Sequence, residues 1–134
     1  MQHKAGILAS WMLLDIQSTM DIFCIARMLT KIHDVKIHLI LNCNASTASV
    51  TKKGYLKRYR TVRYHPDGIA NILSLNNVKK KYRVTFNSEL EDGFVVYKEN
   101  GSKHVFKPSK TGLYYSDITK DSDLIGHNSR QLKE

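Results

Sequence analysis

Apolar and polar residues alternate most regularly in the second half of the chain, where Tyr82, Val84 and Phe86 are separated by Arg83 and Thr85. That two-residue period predicts a half-buried strand. Residues 94–97 and 104–106 flank Asn100-Gly101, both of which tolerate positive φ, so a tight hairpin is expected. Upstream, residues 55–64 are rich in aromatic and β-branched side chains and stop at His65-Pro66-Asp67-Gly68. Proline, aspartate and glycine stand there in their usual turn positions, which predicts a strand and then a turn. Near the N-terminus, Trp11-Met12-Leu13-Leu14-Asp15 is a short apolar run followed by polar residues, the pattern of a fully buried strand with Asp15 at its end. Residues 37–42 read the same way. Residues 20–25 fit two patterns: Ile22, Ile25, Leu29 and Ile32 recur at helical spacing, while Phe23 and Cys24 fill the other face, so helix and strand both stay open. Residues 72–78 follow Asn71, a suitable N-cap, and have room for about two helical turns. The sum is a mostly β domain with one or two short helices.

Length adds a bound. A chain of 134 residues is enough for one domain whose core needs no disulfide or metal. Its two cysteines, Cys24 and Cys43, make no disulfide framework and read as buried thiols in a reducing compartment. The apolar stretch before Asp15 is too short for a membrane span and lacks a signal-peptide cleavage site, so a cytoplasmic protein without a membrane partner is expected. From Ser116 onward the pattern turns polar. The expected organisation is an N-terminal extension (residues 1–10), a folded domain (11–116) and a disordered polar tail (117–134).

Charge singles out one segment. The 21 Lys and Arg residues outnumber the 12 Asp and Glu residues by nine. Between residues 52 and 83 lie Lys52, Lys53, Lys57, Arg58, Arg60, Arg63, Lys79, Lys80, Lys81 and Arg83 against Asp67 alone, so ten minus one accounts for the whole excess. Tyr55, Tyr59 and Tyr64 are interleaved with these bases, and cations among rings can neutralise phosphates and stack on bases. On a single strand, Tyr55, Lys57, Tyr59 and Arg63 would share one face, and Arg58, Arg60 and Tyr64 the other.

Asp15 is the sharpest candidate for chemistry. A carboxylate at the end of a buried strand, with the hydroxyls of Ser18 and Thr19 close behind, can share a proton with a second carboxylate. One copy per chain implies that the second comes from a twin across a two-fold axis; the plain alternative is a turn or capping residue. The run Trp11-Met12-Leu13-Leu14-Asp15, the stretch Thr61-Val62-Arg63-Tyr64-His65-Pro66-Asp67-Gly68-Ile69-Ala70-Asn71-Ile72-Leu73-Ser74-Leu75, and Gly112-Leu113-Tyr114-Tyr115 together resemble the protease region of copia-type retrotransposon polyproteins. The resemblance covers roughly residues 11–116. It implies a retropepsin-like fold, a small closed β-barrel-like acid-protease domain, active as a homodimer on peptides of its own polyprotein. Asp15 would be the dyad aspartate, and Ser18 and Thr19 would support its loop.

Two departures from that family's pattern stand out. The usual motif continues from aspartate with Ser or Thr and then Gly, whereas Ile16 and Gln17 follow here. The region expected to form the substrate-covering flap, Gly54, Tyr55, Leu56, Lys57, Arg58, Tyr59 and Arg60, keeps one glycine and gains cations. A catalytically inactive basic β module that binds nucleic acid or polyprotein segments is the alternative reading. Cys24, His33, His38 and Cys43 lack the close pairing of a zinc site, and no glycine-rich phosphate loop is present, so neither metal nor cofactor is expected.

Overall fold

The computed structural model describes residues 9–43, 46–86 and 93–120. Along these residues run β1 (Trp11–Asp15), β2 (Ile22–Phe23), β3 (Leu29–Cys43), β4 (Ser46–Leu56), β5 (Arg60–Tyr64), β6 (Asn71–Ser74), α1 (Leu75–Lys81), β7 (Arg83–Phe86), β8 (Phe94–Tyr97), β9 (Lys103–Pro108) and β10 (Tyr114–Asp117). The fold is mostly β, as its alternating and apolar runs predict. Among the described residues no helix is long and apolar enough to cross a membrane.

All ten strands join one sheet in the order β3-β4-β5-β2-β6-β1-β10-β9-β8-β7. This corrects the expected closed barrel. Closure would require a ladder between β3 and β7, which stand at opposite ends of the order. Instead β3 is drawn off with β4 as a long ribbon. The two pair from Leu29↔Leu56 to Cys43↔Ser46, but β5 accompanies β4 only from Lys52 to Leu56. Beyond that point β3 and β4 pair only with each other. Residues 37–42 therefore form a strand but not a buried one: Ile37 is 79% exposed and Ile40 55%.

The centre of the sheet is β1, parallel to β6 through Leu14↔Leu73 and Asp15↔Ser74, and antiparallel to β10 through Leu14↔Tyr114. Met12 and Leu14 point from β1 into a cluster with Phe23, Leu56, Val62, Leu73, Val78, Val96 and Phe106. Each such side chain contributes roughly 1.5–3 kcal/mol on leaving water, which fixes β1 and the position of the residue at its end.

Four local expectations are corrected. Asn71 is not a helix cap but the buried first residue of β6. Its Oδ1 accepts from the backbone of Cys24 (2.9 Å) and Ile25 (3.2 Å), and its Nδ2 donates to the carbonyls of Ala9 (2.9 Å) and Trp11 (3.0 Å). The cap is Ser74, whose Oγ accepts from Asn77 N at 3.2 Å. Residues 20–25 take neither pattern throughout: β2 covers two of them, and a 3-10 turn follows at Ala26–Met28. Third, the loop between β8 and β9 needs one left-handed residue, not two. Lys98 N donates to Ser102 O (2.9 Å), Gly101 N to Lys98 O (3.1 Å), and Gly101 takes φ +88°. That is a three-residue loop with glycine at its bulge. Fourth, the fold continues past residue 116: β10 runs to Asp117, and Ile118, 1% exposed, donates its N–H to Ser10 O at 2.9 Å. Residues 121–134 of the expected tail lie outside the described residues. The turn at His65-Pro66-Asp67-Gly68 is as predicted, with Gly68 N donating to His65 O at 3.0 Å.

Candidate active site and basic surface

Asp15 leaves β1 half-buried and lines a shallow groove of about 140 Å³ with Leu13, Leu14, Ile16, Gly112, Leu113 and Tyr114. The far wall is the turn between β9 and β10, closed by Ser109 N donating to Leu113 O at 2.7 Å and by Gly112 at φ +91°. Asp15 Oδ1 accepts from Gln17 N at 2.9 Å. One carboxylate oxygen is thus held by backbone beside an open groove, and among the described residues the other accepts no hydrogen bond.

The supports foreseen for this loop act differently from expectation. Ser18 Oγ turns to Met20, donating to its carbonyl (2.8 Å) and accepting from its N–H (3.1 Å), and Thr19 contributes its carbonyl. Neither hydroxyl reaches Asp15. The loop is instead anchored from the first turn of α1: Ser74 Oγ donates to Ser18 O (2.7 Å), and Asn77 Nδ2 donates to Thr19 O (3.3 Å) and Asp21 Oδ2 (3.2 Å). Asp21 closes the clamp. It is 6% exposed, accepts from Ser74 N at 2.7 Å and faces Arg60 Nε at 3.4 Å. Sequence reasoning missed Asp21; a lone aspartate inside the apolar run Met20-Asp21-Ile22-Phe23 is the signal that could have found it, because a buried carboxylate requires partners.

The residues expected to form the flap make the β4–β5 hairpin turn, which packs on the body. Tyr55 and Leu56 end β4, residues 57–59 turn, and Arg60 begins β5. Tyr59, 1% exposed, is embedded in the core. The Arg58 carbonyl accepts from Lys98 Nζ (2.8 Å) and from the Tyr82 hydroxyl, and Lys81 Nζ donates to Tyr59 O at 3.1 Å. Gly54 supplies no bend either. A Cβ there would come within 3.0 Å of Leu29 and 3.1 Å of Ile32, so glycine permits β3 to pack close. Arg58 adopts φ +68°, where a non-glycine residue is held at some cost by these bonds.

The hairpin also divides the basic segment. Lys52 pairs with Asp34 at 2.6 Å, holding that exposed carboxyl below its usual range, and Arg60 pairs with Asp21. Arg83 lies over the Tyr97 ring, 4.5 Å from its centroid, while Arg58, Lys81 and Lys98 converge on the β4–β5 turn. Tyr55 and Arg63 do share one face, as foreseen, with Lys53 beside them, but Lys57 lies in the turn and Tyr59 in the core, so neither continues that strand face. Lys79 and Lys80 are exposed on α1.

A buried polar chain escaped sequence reasoning. His104, 5% exposed on β9, meets the Tyr59 hydroxyl through Nδ1 (2.6 Å) and Ser116 Oγ through Nε2 (2.7 Å). Burial, with the charge of Lys98, pushes its pKa down to about 3. Burial raises the Cys24 thiol, whose Sγ lies 3.5 Å from Asn71 Oδ1, making it a poor nucleophile at neutral pH. Among the described residues no group of three metal-ligating side chains forms. No protein-family profile, no curated protein and no solved structure matches the chain.

Proposed function

We propose that this chain is a retropepsin-like aspartic endopeptidase domain, of the kind found in copia-type polyproteins, that acts as a homodimer with Asp15 from each subunit. The observation that carries this reading is the setting of Asp15: the end of a central buried strand, a backbone-fixed oxygen and an open groove. Ile16, 57% exposed, adds an apolar surface on the same loop that a second copy would cover. Two carboxylates brought together cannot both ionise cheaply, so the pair shares one proton. The ionised member takes a proton from water, whose oxygen adds to the scissile carbonyl carbon, and the protonated member gives its proton to the carbonyl oxygen. Breakdown returns a proton to the amine nitrogen as the C–N bond breaks. The pH dependence belongs to the pair.

In this reading the Ser74–Asn77–Asp21 clamp holds the loop that follows Asp15, where Ile16 and Gln17 stand in place of the usual hydroxyl and glycine. The direct test is peptide cleavage by wild type and Asp15→Asn. Loss of cleavage in the variant supports the reading; equal cleavage by both removes Asp15 from the mechanism.

A further inference from the structure

The outer face of β3, β4 and β5 carries cations that the fold does not consume. Directly opposed residues share a face, and the ladders set His33 beside Lys53, Lys53 beside Arg63, and Tyr55 beside Thr61. Gly54, Leu56 and Val62 alternate with this set and are buried, so the row faces solvent. Lys57 follows just past the end of β4. Lys53 and Lys57 have no ion-pair or hydrogen-bond partner among the described residues. Arg63 spends one donor, Nη1, on Ile37 O at 3.0 Å and has no ion-pair partner among the described residues. Asp34, the acid on this stretch of ribbon, is neutralised by Lys52. Tyr55, 40% exposed, sits between Lys53 and Lys57 along the chain.

We infer that this face binds single-stranded nucleic acid, Lys53, Lys57 and Arg63 taking phosphates and Tyr55 stacking on a base. Lys53 and Tyr55 stand one two-residue strand step apart, about 7 Å, with Arg63 directly across from Lys53 and Lys57 in the turn beyond, so cations flank the ring. A cationic surface alone would suit any polyanion; the exposed ring between the cations favours one with flat bases. The inference is independent of the protease reading, and Asp15→Asn leaves this binding unchanged.

The test is fluorescence anisotropy of a labelled oligouridylate of about 12 nucleotides across a potassium chloride series, with folding of each variant checked by circular dichroism. Single strands lose affinity with a slope of about −0.7 per neutralised phosphate, so the wild type should give about −2 for three contacts. Lys53→Gln with Arg63→Gln should reduce that slope by about 1.4, while Lys79→Gln with Lys80→Gln, which removes the same charge from α1, should leave it alone. Tyr55→Leu should weaken binding about five-fold or more at unchanged slope. The inference is overturned by absence of binding at low salt, by equal loss in the Lys79/Lys80 variant, or by polyglutamate displacing the RNA at matched charge with Tyr55→Leu silent. That last result would assign the face to an acidic protein.

Discussion

Acidification should unfold this protein through His104. The ring is buried with both nitrogens engaged by hydroxyls, Tyr59 at 2.6 Å and Ser116 at 2.7 Å, and its pKa falls to about 3. In the unfolded chain the same ring titrates near 6.5. Between those values the unfolded state binds the extra proton, so the neutral ring's contribution is complete above pH 6.5 and is lost progressively as pH falls toward 3. At about 1.4 kcal/mol per pH unit, pH 4.5 costs about 2 to 3 kcal/mol and the full interval about 5. Against a usual total of 5–15 kcal/mol, that is a large share. Urea unfolding of the wild type at pH 7.5, 6.5, 5.5 and 4.5 should show midpoints falling at constant slope. His104→Gln should start lower, because Tyr59 and Ser116 lose a partner, but should flatten most of the decline. A wild-type midpoint unchanged down to pH 5, or an equally steep decline in His104→Gln, would refute the assignment. On the proposed protease reading, a shared-proton dyad favours mild acid while the fold loses stability there, so cleavage should be confined to a narrow window below neutrality.

Further outcomes follow from the buried polar anchors. Asn71→Ala strands four backbone groups at once, and its urea midpoint should report a loss of about 3 kcal/mol or more. Asn71→Asp, nearly isosteric, turns the donor facing Ala9 O and Trp11 O into an acceptor and should be almost as damaging at pH 7.5. Ser74→Ala removes the cap of α1 and the donor to Ser18 O together. It should cost about 1–2 kcal/mol by the same assay and, on the proposed protease reading, reduce kcat for peptide cleavage more than it changes KM.

What the sequence disclosed, and what it did not, divides by the range of the interactions. The buried run ending at Asp15, the turn at His65-Pro66-Asp67-Gly68 and the β8–β9 hairpin are governed by neighbours within a few residues, and period and turn chemistry suffice for them. The open sheet and the free ribbon depend on which distant strands pair, and Ile37 and Ile40 look like core residues until it is known that this end of β3 pairs, among the described residues, with β4 alone. Asn71 and Ser74 are both good caps by residue type, and only the pairing of β6 with β1 decides between them. The clamp on the Asp15 loop joins residues 56 apart in sequence, Ser18 and Ser74, which no local pattern announces. His104 was hidden because a polar residue on a hairpin strand ordinarily faces water.

Mixing subunits tests the account most directly. Wild type and Asp15→Asn are combined in equal amounts at fixed total concentration, allowed to exchange, and assayed for peptide cleavage. If each active site needs Asp15 from two subunits, about one quarter of the undiluted activity remains, the statistical share of fully wild-type pairs. About one half would mean that each chain works with its own Asp15 alone, and the shared-carboxylate account would be wrong.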